Sequence, residues 1–249
     1  FYTAMARDLA NGSWDGDRDS LVNQPGADFW IPVAAESSSC TSKHCPVYSS
    51  CTYFEKRKEL VGAQVIVANH DLLLSSLGAR VLPELDNCLL VLDEAHHLPA
   101  TALAQFACSM DLSRITWIER LSSRGLRIGA LLEVEEIADI PRHAAQLRQT
   151  LQDLARIVMD VYGDHLKSQK DTWGPARVRV PRGELPEPLI APLGLLAASA
   201  DGFLEALRAI SKALRAEMRD KPDEAKRLST LYAQIGMLAP RLEELHATA

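Results

Sequence analysis

No apolar run in this chain reaches the length needed to cross a bilayer, so a membrane span is not expected. No charged-then-apolar leader precedes Phe1, which reads as a cytoplasmic chain, or as a piece of something longer. Positive charge is not in excess: the net charge is −6 and the pI near 5.7. That excludes a uniformly basic nucleic-acid coat and leaves room for a local basic groove. Paired C-x2-C motifs are absent, and the five cysteines are an odd set with three of them clustered. Outside a secretory context such a cluster reads as metal binding rather than disulfides.

What is present is ordinary globular composition, 47% hydrophobic and 24% charged over 249 residues. One large domain or two modest ones can form. Residues 1–39 are mixed, with a turn-rich loop at Asn11–Asp17. Thr52–Leu60 reads as a charged helical stub. Ala63-Gln64-Val65-Ile66-Val67-Ala68 suits a short buried strand. Asn69-His70-Asp71 ends it, with Asp71 placed to cap a helix over Leu72–Leu77 and Gly78 to stop it. Pro83–Asn87 reads as a turn. A second strand follows, so the pair resembles a βαβ unit, although two strands cannot make a stable sheet alone. Beyond residue 100 the pattern is helical. Three series recur at spacings of three and four: Leu147, Leu151, Leu154, Val158, Val161; Phe203, Leu207, Ile210, Leu214, Met218; and Leu228, Leu231, Ile235, Leu238, Leu242, Leu245. They predict an antiparallel helical bundle. Trp173 to Pro192 holds five prolines and reads as a connector or exposed hairpin.

The second strand carries the chemistry. Leu89-Leu90-Val91-Leu92 runs into Asp93-Glu94-Ala95-His96-His97. Acids at the end of a buried parallel strand are where α/β sheets place ligands. In nucleotide-driven machines this is the Walker B strand, in which Asp93 would hold Mg²⁺ and Glu94 would orient or deprotonate the attacking water. His96 would couple the phosphate site to a second ligand. A strand ending in a solvated Asp-Glu cap gives the same four letters by chance. No G-x-x-x-x-G-K-[ST] occurs anywhere, so the chain has no loop of backbone N–H groups to cradle phosphates.

Cys40, Cys45 and Cys51 have the spacing C-x4-C-x5-C in the segment Ser39–Cys51. An iron–sulfur cluster usually takes four cysteines; zinc would take Cys3His, with His44 as fourth ligand. Free or disulfide-bonded thiols remain open on the residues alone. Cys88 and Cys108 read as small core residues, Cys108 in a helical Ala104–Met110. Lys56, Arg57 and Lys58, beside Tyr53 and Phe54, could combine phosphate contacts with base stacking, or form a solvated helix face with Glu55 and Glu59. Arg177, Arg179 and Arg182 alternate with Val178 and Val180 like an exposed strand or ribbon that could line a DNA path. Asn69 and His70 read more simply as capping residues.

Taken together, the cysteine loop, Val65–Leu74, Val81–Asn87 and the DEAH segment ending in His96-His97-Leu98-Pro99 resemble the DinG-type branch of the XPD-related iron–sulfur helicases of superfamily two. The resemblance implies an α/β fold with a large helical part. It would hold a partial RecA-like parallel sheet with the DEAH strand, an iron–sulfur insert and a mostly helical arch. It divides the chain into 1–60 (cluster insert), 61–100 (part of the first motor domain) and 101–249 (arch). It implies a [4Fe-4S] cluster with Cys40, Cys45 and Cys51 as three ligands and a fourth upstream, together with ATP and Mg²⁺. The implied activity is ATP-driven unwinding of single-stranded and forked DNA with 5′-to-3′ polarity. A non-catalytic, metal-stabilised DNA-binding or protein-interaction module is the alternative. Because the phosphate-cradling loop is missing, the purified chain is expected not to hydrolyse ATP. Turnover above background in a coupled ATPase assay, abolished by Glu94→Gln, would overturn that expectation.

Overall fold

A computed structural model describes residues 1–35, 40–79, 81–83, 85–113, 115–168 and 176–249. The start of the expected connector at Trp173, and Ser39 and Glu84 of the motifs above, lie outside them. The chain divides into two units, Phe1–Ala107 and Cys108–Ala249.

The second unit holds almost all of the buried apolar side chains. Its helices are α6 (Thr116–Leu131), α7 (Ile140–Ser168), α8 (Glu187–Asp220), α9 (Ala225–Gly236) and α10 (Ala239–Thr248). The periodic stripes do what their spacing requires. Leu147, Leu151 and Leu154 of α7 are buried, and Phe203, Leu207, Ile210, Leu214 and Met218 run buried along α8. The first stripe loosens at its end, with Val158 only half-buried and Val161 exposed. Helix α8 is the hub, packing against α6, α7, α9 and α10.

Helix α6 reaches this hub through a small-residue face. Trp117, Ile118, Leu121 and Ile128 are buried beside Gly125 and Gly129. A Cβ at Gly125 would lie 3.1 Å from Ile140 Cδ1 and 3.5 Å from Leu207 Cδ2. A Cβ at Gly129 would overlap Ile137 Cγ2. These glycines sit where neighbouring side chains need the space, at about 1 kcal/mol each in helix propensity.

Two sequence expectations change here. The series from Leu228 to Leu245 is not one helix but two, broken at Met237–Leu238, just before Pro240 near the start of α10. Pro240 lacks the N–H that would bond the Gly236 carbonyl and continue the ladder, and it is tolerated in the first turn of a new helix, where that N–H is not needed. Pro192 lies inside α8 rather than in a connector. It is the sixth residue of that helix, so the only bond it forfeits is the one to the carbonyl of Pro188 in the first turn. Helix α8 is also long and apolar enough, by length and composition, to cross a membrane, which the sequence reading did not anticipate. Its apolar stripe is the core of the bundle, as expected of the central helix of a packed unit.

The first unit is built differently. Its helices are α1 (Tyr2–Ala10), α2 (Ala27–Trp30), α3 (Thr52–Val61), α4 (His70–Ala79) and α5 (Leu98–Gln105). Among its described residues Leu74 is the one large apolar side chain that is buried. No strand occurs among the described residues, which overturns the α/β fold and its parallel sheet. Residues 63–68 and 88–92 run as irregular chain, with Val67 and Leu89 each 92% exposed. A β-branched apolar run marks a segment suited to a pleated, covered surface and does not create the neighbour that would cover it. A strand is stable only when its N–H and C=O groups are paired, and these two segments do not pair with each other.

Phe203→Ala is expected to lower the unfolding free energy of the helical unit by about 3–5 kcal/mol. Gly129→Ala should lower it by about 1–3 kcal/mol despite the better helix propensity of alanine. Urea titration followed by circular dichroism measures both; an unchanged midpoint for Gly129→Ala would refute the close approach to Ile137.

Candidate functional site

The cysteine segment is shaped by consecutive 3₁₀ turns, Ser42–His44 and Tyr48–Ser50. Ser42 adopts the left-handed conformation (φ 51°), and its N–H donates to Cys40 Sγ at 3.3 Å. Amide bonds from Cys45 to Ser42 (2.9 Å) and from Tyr48 to Cys45 (3.0 Å) carry the turn forward, and Cys51 opens α3. Cys40, Cys45 and Cys51 are free thiols, all half-buried. Together with His44 they do not form a group whose ligand atoms all lie within 4.8 Å of one another. One tetrahedral zinc with bonds of about 2.3 Å draws its sulfurs to about 3.8 Å. Cys40, Cys45, Cys51 and His44 do not all close to that spacing here.

The loop before this segment braces it. Gly16 (φ +86°) lies against Thr52, where a Cβ would stand 2.6 Å from its Oγ1. Trp14 Nε1 donates to the Asp17 carbonyl at 2.7 Å, and the indole meets Trp30 edge-on. The Ser20 hydroxyl, then the Asp17 amide, then Lys56 at 3.5 Å hold the exposed Asp15 carboxyl below its ordinary pKa. Those contacts also occupy the candidate basic cluster. Lys56 pairs with Asp15, Lys58 with Glu55 at 2.6 Å, and Arg57 donates to Tyr53 Oη at 3.2 Å. Tyr48, Phe54 and Tyr53 form a ring cluster, with centroids 4.6 and 5.3 Å apart. The basic and aromatic side chains are thus brought together on α3, already engaged with one another and with acids.

The acidic motif lies in a turn with all its residues exposed. Glu94 is left-handed (φ 48°, ψ 40°), and its N–H is accepted by Asp93 Oδ1 at 3.0 Å. A non-glycine residue held there costs about 1–2 kcal/mol. The turn reverses the chain into a 3₁₀ segment, Ala95–His97, whose last N–H donates to the Glu94 carbonyl at 2.9 Å. His96 Nδ1 then lies 3.2 Å from Glu94 Oε2, and the His96 and His97 rings are 4.0 Å apart. Ligand atoms of Glu94, His96 and His97 fall within 4.8 Å of one another, the one such trio among the described residues. Two imidazoles and a carboxylate can hold a divalent cation. Reading the residues one by one missed His97; the doubled histidine was its signal.

Asn69 and His70 turn out to serve the helix. Asn69 Oδ1 accepts the Leu72 N–H at 2.8 Å, so Asn69 rather than Asp71 caps α4, which runs on through Gly78 to Ala79. Cys88 and Cys108 are exposed, not core, because the strand and helix expected to cover them are absent. Arg177, Arg179 and Arg182 are exposed around half-buried Val178 and Val180, without a ladder. The alternation survives, the strand does not.

The DEAD_2 family model matches residues 41–115, which take in Cys45 and Cys51 but not Cys40, and span α3, α4 and the acidic turn. The chain is therefore helicase-like in its motifs, and it is DinG-like in particular. It is 29% identical over 247 residues to the ATP-dependent DNA helicase DinG of Photobacterium profundum, covering 97% of this chain and 34% of that protein. It is 37% identical over 107 residues to the ATP-dependent DNA helicase DinG of Escherichia coli K12, covering 43% of this chain and 15% of that protein. The chain thus spans about a third, or less, of the length of these relatives.

Asn69→Ala is expected to cost about 1 kcal/mol in α4. Hydrogen exchange at the Leu72 amide reads it directly: exchange should quicken several-fold in the variant, and an unchanged rate would show that the cap contributes nothing.

Proposed function

We propose that this chain is a segment of an ATP-dependent DNA helicase and carries the acids of its nucleotide site. The observation that supports this most is the Asp93-Glu94-Ala95-His96 turn, inside the stretch that matches the DEAD_2 model, with Glu94 Oε2 3.2 Å from His96 Nδ1. Asp93 would hold Mg²⁺, a cation that would supply charge neutralisation at the phosphates. Glu94 accepts the proton of the attacking water, and His96 holds the Glu94 carboxylate in position. Residues 61–100 serve this chemistry, residues 1–60 form the cluster segment, and residues 101–249 form a helical arch beside the DNA.

In this reading Cys40, Cys45 and Cys51 would supply three ligands of a [4Fe-4S] cluster, with the fourth contributed from upstream of residue 1. Single-stranded and forked DNA is the substrate, engaged with 5′-to-3′ polarity, and Lys56, Arg57, Lys58, Tyr53, Arg177 and Arg179 contribute to its path. A second reading is favoured by one observation, the absence of any G-x-x-x-x-G-K-[ST]. It makes the chain a metal-stabilised DNA-binding or interaction module without catalysis of its own.

Two experiments separate these readings. In a protein carrying this sequence together with a phosphate-cradling loop, Glu94→Gln should cut ATP turnover by about 10²–10⁴-fold while ATP binding persists; undiminished turnover removes Glu94 as the base. Anaerobically purified chain should contain iron and acid-labile sulfide, both lost in Cys45→Ser. Zinc without iron would rule out the cluster and favour the module.

A further inference from the structure

We propose that the outer face of α6 binds the phosphate backbone of single-stranded nucleic acid. This deepens the DNA-handling reading above and rests on it. The face is the second stripe of an amphipathic helix whose first stripe is buried. Thr116, Arg120, Ser123, Arg124 and Arg127, with Gln234 of α9, line an open groove of about 820 Å³. Three guanidiniums fall on one helical face in a chain whose net charge is −6, so the groove does not follow from a generally basic composition.

The electrostatics favour an anion. The acid in the lining, Glu119, is paired with Arg148 of α7. Arg120 makes no ion pair among the described residues. Arg124 donates to the Gln234 carbonyl at 3.2 Å, and Arg127 to its Oε1 at 3.1 Å. Each bond uses one of five guanidinium donors and holds the head in place, leaving the rest for a ligand. Preorganised arginines give bidentate phosphate contacts at less cost in side-chain entropy.

The spacing suits a strand. From Arg120 to Arg127 is about 10 Å along the helix axis, enough for the two guanidiniums to meet separate phosphates of one strand. Thr116 and Ser123 add hydroxyl donors of the kind that contact phosphate and sugar. No aromatic ring lines the groove; Trp117 is buried in the core and does not reach it. Binding there is therefore by backbone rather than by base stacking, independent of sequence and steeply dependent on salt.

Fluorescence anisotropy with labelled (dT)₂₀ and the whole 249-residue chain tests this over a range of KCl concentrations. Arg120→Glu with Arg127→Glu should weaken binding at least about tenfold at low salt. It should flatten the slope of log K against log salt by about 1.4, two phosphate contacts at about 0.7 each. The Lys double variant should keep most of the affinity. Should the Glu double variant melt early, Arg120→Glu alone, at an exposed position without an intrachain ion pair, should still lower both affinity and slope. Wild-type affinity and slope in these variants would overturn the groove while leaving the DNA reading intact. Failure of the wild-type chain to bind (dT)₂₀ at all would overturn the groove and remove this chain from the DNA path. Displacement of DNA by poly-glutamate at equal charge concentration would reassign the groove to an acidic protein partner.

Discussion

Four helices close on α8, and the continuous buried stripe from Leu196 to Met218 is the constraint on which the rest of the ordered core depends. Phe203, Ile210 and Leu214 have no solvent exposure, so each neighbouring helix is positioned by what it can place against them. Helix α6 approaches through glycines, and α7 through a leucine stripe. Gly202 lets the ring of His143 lie against the α8 backbone, where a Cβ would overlap it. Packing of this kind tolerates few changes in volume, which is why the arginine face of α6 is held rigidly although it is itself exposed.

The first unit has no comparable constraint. Leu74 is the one buried large apolar side chain among its described residues, and the shape is maintained by local devices: an asparagine cap on α4, an Asp-Ser-amide knot at Asp15, an edge-on indole pair and left-handed turns at Ser42 and Glu94. Such contacts fix a residue relative to its sequence neighbours within a turn or two. They do not bury a sheet face, and runs such as Val65–Val67 and Leu89–Leu92 stay in water.

This contrast explains what could be read from the residues. A helix satisfies its own backbone, so a stripe such as Phe203 to Met218 predicts both the helix and its buried face. Its ends are harder to read. Pro192 looked like a breaker, yet six residues into a helix a proline forfeits little, whereas Pro240, beside a stripe that looked continuous, marks a real break. A strand satisfies its backbone only through another segment, so Leu89–Leu92 could not by itself predict a sheet. The residues of the acidic turn were legible for a different reason. Asp93, Glu94 and His96 are close in sequence, and a single turn suffices to bring two of them to 3.2 Å. The thiols and the α6 arginines needed more. Cys40, Cys45 and Cys51 are ordered by two successive turns, and the arginine face is visible only once Trp117, Ile118 and Leu121 are known to face inward.

Charge adds a separate requirement. The turn that carries Asp93 and Glu94, and whose Glu94, His96 and His97 can hold a cation, repels a polyanion, and it shares neither residues nor an element with the arginine face of α6. The acids lie on the turn after Leu92, and the arginines on α6, where the nearest acid, Glu119, is already paired. Lys56 and Lys58 sit between these extremes, each beside a carboxylate that lowers its reach for phosphate. An exposed ion pair of this kind is worth little to stability, but it does offset local positive potential. On the proposed DNA-handling reading, nucleic-acid affinity should therefore come more from the arginine face of α6 than from the lysines of α3. The reason is physical: a guanidinium held by a neutral amide and carbonyl keeps its full charge for the ligand, while an ammonium beside a carboxylate does not.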